Sequence, residues 1–127
     1  MTLSPRTEEI ATEIVDAAFL VHSTLGPGLL ESVYEECLAY ELFDRHLSYE
    51  RQVVVPITYR DHQIDSCLRL DFLVEGLIVI EVKAVEALLP VHTSQLLTYL
   101  KLGGYRLGFL VNFNVTLIKH GIHRYVL

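Results

Sequence analysis

Residues 68–83, LRLDFLVEGLIVIEVK, constrain this chain more than any other stretch, because they ask for two interior strands that carry charge. The segment reads as two strands around a turn at Gly76. The first sets Asp71 in the apolar run of Leu70, Phe72 and Val74, and the second ends in Glu81 and Lys83. Apolar strands of this kind are normally interior. An unpaired interior charge costs several kcal/mol, and neighbouring carboxylates repel, so three charges here imply a use.

Side chains alternate faces along a strand, so Arg69, Asp71 and Leu73 share one side, as do Leu77, Val79, Glu81 and Lys83. On the other side, Leu68, Leu70, Phe72 and Val74 would meet Ile78, Ile80 and Val82. Aligning those apolar faces sets Asp71 opposite Glu81. It requires a three-residue loop, Glu75-Gly76-Leu77, with Gly76 at positive φ. A two-residue turn would pair Asp71 with Ile80 and send the carboxylates to opposite faces.

With 127 residues, 51% of them hydrophobic, the chain can bury one core and is too short for two, so a single domain over 1–127 is expected, with residues 1–5 disordered. No apolar run approaches the roughly 18 residues needed to cross a bilayer, and the start MTLSPRTEE does not resemble a signal peptide. A cytoplasmic protein with no membrane association is the expectation. Cys37 and Cys67 lack CxxC spacing and read as small buried side chains. The formal charge of −6 counts against broad nucleic-acid binding through a basic face. It leaves a nuclease open, because a bound divalent cation brings positive charge that the count omits. The local basic cluster of Lys119, His120, His123 and Arg124 reads as a solvated strand end.

In chain order, Ser4-Pro5 can open a helix with Glu8 and Glu9 in its first turn. Ile10, Ile14, Ala17, Ala18, Val21 and Leu25 then recur at helical spacing up to the break at Gly26-Pro27-Gly28. A second helix is expected over 29–45, with Leu30, Val33, Tyr34, Cys37, Leu38 and Phe43 forming its apolar stripe. Glu31 stands in its first turn, where a glutamate gains about 0.3–1 kcal/mol from the helix dipole and needs no other purpose. Gly28, Glu31 and Tyr34 nevertheless fall along one edge that could lie against the sheet. Residues 51–59 read as a strand with an edge or bulge at Pro56, 60–63 as a polar turn, and 64 onward as the Asp71 strand. After Lys83, residues 84–90 leave the sheet. A third helix over 91–102 ends at Gly103-Gly104 and places His92, Gln95 and Tyr99 on one face. Residues 106–113 form a buried strand, and 116–119 with 123–127 a last short strand or pair.

Two carboxylates on adjacent strands, with a lysine two residues after the second, suit a hard cation such as Mg²⁺. Without it, two unit charges about 4 Å apart repel by roughly 4 kcal/mol at an effective dielectric near 20. Lys83 could assist an attacking water or stabilise charge building on phosphorus. The plain alternative is a surface Glu81–Lys83 ion pair worth about 0–1 kcal/mol, with Asp71 solvated. The six histidines show no HxH or HExxH spacing that would favour zinc.

Asp71, followed ten residues later by Glu81-Val82-Lys83, resembles the D…ExK signature of the PD-(D/E)XK nuclease superfamily. Gly28-Leu29-Leu30-Glu31-Ser32-Val33-Tyr34 is similar to the signature of the GxxExxY protein family within it. The resemblance covers nearly the whole chain, through LLPVHTSQLLTYLKLGG to LGFLVNF, although Leu70 stands where the superfamily's proline would precede Asp71. It implies an α/β, restriction-endonuclease-like core: a central mixed sheet flanked by helices, with an N-terminal helix pair. It further implies that Asp71 and Glu81 are ligands of Mg²⁺ (or Mn²⁺), with the Val82 carbonyl and Glu31 as further ligands. Lys83 would be the catalytic lysine, and Gln95 and Tyr99 would orient Lys83 or a phosphate. His92 is better read as a helix-start residue, and Tyr34 and Asn112 as packing or strand-end residues.

The activity so implied is hydrolysis of nucleic-acid phosphodiester bonds, in DNA or RNA, by a metal-bound water. The alternative is a nuclease-fold module that binds nucleic acid or a protein partner without cutting, and a third reading is an interaction domain with solvated charges. Fold alone does not choose among them. The small, acidic chain leaves room for a homodimer or a partner protein in substrate contact.

Overall fold

Ser4 accepts the Thr7 N–H through its hydroxyl, and Pro5 sits in the first turn, where its missing donor costs nothing. Helix α1 therefore runs Pro5–Leu25, so two residues of the stretch expected to be disordered form its cap and first position. These details come from a computed structural model that describes residues 2–127, the side chains of residues 66 and 67 aside. The expected burial of Cys67 thus lies outside the described residues, while Cys37 is half-buried.

Helix α1 buries Ile10, Ile14, Ala17, Ala18 and Val21 and stops at Gly26, whose φ of 70° ends the helical path. Helix α2 spans Glu31–Asp44, two residues later than the sequence suggests, with Leu30 as its cap. Its buried face is Tyr34, Leu38, Ala39 and Leu42. The expected stripe is corrected at both ends, since Leu30 is 73% exposed and Phe43 70% exposed. Apolar periodicity near a helix end cannot distinguish a core face from the turn beyond it. The link between the helices is tied by Tyr34, whose hydroxyl donates to the Gly26 carbonyl and accepts from the Leu29 N–H. Its ring stacks on Phe113 at 4.7 Å, and Gly28, at φ 100°, donates its N–H to Asn114 Oδ1.

The strands are β1 (Tyr49–Tyr59), β2 (His62–Val74), β3 (Ile78–Lys83), β4 (Leu107–Asn112) and β5 (Ile122–Val126), with α3 (Pro90–Gly103) between β3 and β4. They form one five-stranded sheet in the order β1-β2-β3-β4-β5. The β3–β4 pair is parallel and the other pairs are antiparallel, giving the mixed sheet expected. Pro56 sits in edge strand β1, where the register shifts between Val55 and Ile57, so it disrupts no interior ladder. Residues 118–120 form a 3₁₀ turn rather than part of a strand.

The two sheet faces build separate cores. One packs α1 and α2 on Phe72, Val74, Ile78, Ile80, Val82, Phe109 and Val111. The other packs Leu96 and Leu100 of α3 on Val55, Leu70, Leu73, Val79 and Leu110. Helices thus cover both faces, and the C-terminal end of β3 lies where both layers can reach it. Among the described residues no helix is long and apolar enough to cross a membrane.

Because the Tyr34 hydroxyl serves two main-chain groups of the α1–α2 link, Tyr34→Phe should lose about 1–3 kcal/mol of stability. Urea denaturation measures this; an unchanged midpoint would show that the link does not depend on the hydroxyl.

Candidate functional site

The β2–β3 hairpin pairs Val74 with Ile78, Leu73 with Val79 and Phe72 with Ile80 across a three-residue loop in which Glu75 and Gly76 have φ of 53° and 66°. This is the expected register, and its next step would be Asp71 with Glu81. There the main-chain ladder gives way to side chains. The Asp71 N–H donates to Glu81 Oε1 at 3.1 Å, and the Val82 N–H donates to Asp71 Oδ2 at 2.8 Å. Each carboxyl group closes on the backbone of the opposite strand.

The ladder on the other side of β2 is interrupted at the same place. Arg51 pairs with Phe72 and Val53 with Leu70, but Gln52 and Asp71 are skipped, and Gln52 has φ 53°. This interruption corrects one expectation. Leu68, Leu70, Phe72 and Val74 do not share a face: Phe72 and Val74 pack under α1 and α2, whereas Leu68 and Leu70 pack with Leu73 under α3. Asp71 sits at the point where the alternation slips.

Burial controls the chemistry of the pair. Glu81 is only 6% exposed, and its carboxyl is pushed up to about 9, first by burial and then by the charge of Asp71. Asp71, half-buried, is also raised, chiefly by burial and against the pull of the Val82 N–H. Burial and mutual repulsion thus both disfavour ionisation of the two carboxyls together. The plain alternative of a surface Glu81–Lys83 pair is not formed, since Glu81 is buried and Lys83 makes no ion pair among the described residues.

Side chains from both helical layers act on this pair. Lys83, half-buried at the end of β3, opposes the upward shifts of Glu31, Asp71 and Glu81 through its charge. Glu31, the first residue of α2, is exposed, yet partial burial of its carboxyl raises it, Lys83 works against this, and Asp71 and Glu35 add to it. From α3, Tyr99 is raised by burial and then by the charges of Glu81 and Asp71. Gln95 is exposed one turn earlier on the same helix. Three neighbours escaped the sequence reading. Glu35 raises Asp71 by its charge, Gln52 donates to both Glu35 and Asp71, and Arg51 bridges Glu35 and Glu36 at 3.3 and 2.8 Å. Glu35 was legible as one helical turn beyond Glu31.

The remaining candidates are structural, as expected. His92 Nδ1 accepts the Leu89 N–H at the start of α3. Asn112, buried at the end of β4, exchanges hydrogen bonds with the Val85 main chain and so fixes the segment leaving β3.

Among the described residues, no three His, Cys, Asp or Glu side chains stand ready as a cation cage. The reason is visible in the contacts: the Asp71 and Glu81 carboxyls are turned onto main-chain N–H groups. Two carboxyls brought to one rung of the sheet are still a donor set that fits a hard divalent cation, whose charge would favour their ionised forms.

A family model for the PD-(D/E)XK nuclease superfamily matches residues 8–125. The chain belongs to this superfamily. No curated protein and no solved structure matches it. Membership accounts for the architecture, which is that of a restriction-endonuclease-like α/β fold. PD-(D/E)XK nucleases generally use divalent metal ions, and in this member the acidic pair lies where β2 and β3 part.

The raised Glu81 sets a pH dependence. Between the ordinary value of 4.5 and about 9 the folded state keeps a proton that the unfolded state releases, so stability falls as pH rises through that window. Glu81→Gln can keep the hydrogen bond from the Asp71 N–H without the charge. In denaturation at a series of pH values it should exceed the wild type by about 2 kcal/mol or more near pH 8 and lose that advantage near pH 5. Parallel profiles for the two proteins would contradict the assignment.

Proposed function

We propose that this chain is a divalent-metal-dependent nuclease that hydrolyses phosphodiester bonds of nucleic acid. The observation that carries the reading is the meeting of Asp71 and Glu81 at the break in the β2–β3 ladder, within range of the Lys83 charge. Asp71 and Glu81 would hold Mg²⁺ or Mn²⁺, with the Val82 carbonyl and Glu31 as further ligands. The cation would neutralise the two carboxylates, act as a Lewis acid toward a phosphate oxygen and make water a better nucleophile. Lys83 then stabilises negative charge developing on the phosphate. Tyr99, whose hydroxyl is kept protonated by burial and the nearby carboxylates, donates a hydrogen bond toward the same oxygens. Gln95, exposed one turn earlier, contacts substrate or Lys83. The resemblance of residues 28–34 to the GxxExxY signature supports this role for Glu31, because the glycine and tyrosine of that segment fix the turn from which α2 starts.

One observation favours a second reading, a non-cleaving module that relies on a partner protein or a second copy for contact with nucleic acid. A chain of formal charge −6 has few cations with which to grip phosphates unaided.

Labelled single-stranded, duplex and branched DNA and RNA, incubated with pure protein and Mg²⁺ or Mn²⁺, test the choice. Cleavage should need the metal and fall by about a hundredfold or more in Lys83→Met and in Asp71→Asn. Cleavage that persists in both variants would overturn the enzyme reading, and binding without cleavage would select the module.

A further inference from the structure

Across the β1–β2 ladder from Asp71, Gln52 leaves the extended backbone conformation of its strand. Its φ of 53° lies in the left-handed region, which costs a residue with a Cβ. The pairing register is unchanged across it, since Arg51 pairs with Phe72 and Val53 with Leu70, while the face alternation of β2 slips opposite it, at Asp71. At the same rung the side-chain amide lies between two carboxylates. Gln52 Nε2 donates to Glu35 Oε1 at 3.0 Å and to Asp71 Oδ1 at 3.4 Å. The other Asp71 oxygen takes the Val82 N–H at 2.8 Å. Asp71 is thus held at both oxygens, from β1 and from β3. Glu35 is anchored in turn by Arg51, whose guanidinium lies 5.7 Å from the centre of the Phe72 ring.

From these contacts we infer that Gln52 is a positioning residue: tied to Glu35, its amide holds the Asp71 carboxylate in the orientation that meets Val82, faces Glu81 and is ready to receive a divalent cation. The inference extends the metal-dependent reading to a residue outside the acidic and lysine set. A glutamine suits the task. Its NH₂ group offers one hydrogen to each carboxylate and carries no charge that would compete with a cation for Asp71.

Two variants separate positioning from mere support. Gln52→Met keeps the length and removes the donors; Gln52→Gly removes the donors and relieves the left-handed backbone. In the metal-free protein, hydrogen exchange at the Val82 amide, followed by NMR, should speed up about fivefold in both variants while Val79 is unchanged. The Mn²⁺ concentration giving half of the thermal shift should rise about tenfold. Gln52→Gly should melt at or above the wild-type temperature without metal, since strain has been removed. Unchanged Val82 exchange in both variants would overturn the inference, and so would a strongly destabilised Gln52→Gly, which would mark the residue as a structural support. Should the wild type show no Mn²⁺ shift while Val82 exchange accelerates in Gln52→Met, the positioning role stands and the metal-dependent function falls.

Discussion

The structure turns on a reciprocal exchange at one rung of the sheet. Where the β2–β3 ladder should continue, the Asp71 N–H bonds to the Glu81 carboxyl and the Val82 N–H bonds to the Asp71 carboxylate. Buried backbone donors must find partners, and here acidic side chains supply them. Burial and the neighbouring Asp71 push Glu81 upward, which favours its neutral form in the apolar sheet. The exchange also brings the two carboxyls to one rung, which is what the proposed cation site requires.

The rest of the fold holds this rung in place. The two helical layers pack on opposite sheet faces, and α2 and α3 each send a side chain, Glu31 and Tyr99, into the field of the pair. Tyr34 sets the start of α2 by bonding the preceding turn. Asn112 holds the segment that leaves β3 by exchanging bonds with Val85. Both do packing work close to the chemistry: Tyr34 lies one helical turn after Glu31, and Asn112 pairs with Lys83 across the β3–β4 ladder.

Much of this was legible in the amino-acid order. Glycines and prolines at 5, 26–28, 76 and 103–104 mark real boundaries, and the three-residue loop at Gly76 fixes the register that brings Asp71 to Glu81. The D…ExK pattern pointed to the superfamily whose model matches residues 8–125. Strict alternation failed at Asp71, because a left-handed Gln52 leaves no trace in composition or periodicity. The same blind spot hid Gln52 as a neighbour of the site. The sequence led to Glu31 as a further ligand beside the pair, yet among the described residues no three such side chains form a ready cage, because the Asp71 and Glu81 carboxyls turn onto main-chain N–H groups, a direction that residue order does not encode.

In the proposed metal-dependent function, a divalent cation at Asp71 and Glu81 displaces the proton that burial and Asp71 favour on Glu81. Calorimetric titration with Mn²⁺ at pH 7.5, repeated in buffers of different ionisation enthalpy, counts the protons released on binding. The account predicts about one proton per cation, lost in Glu81→Gln. Binding without proton release would show that the carboxyls are already ionised and would contradict it.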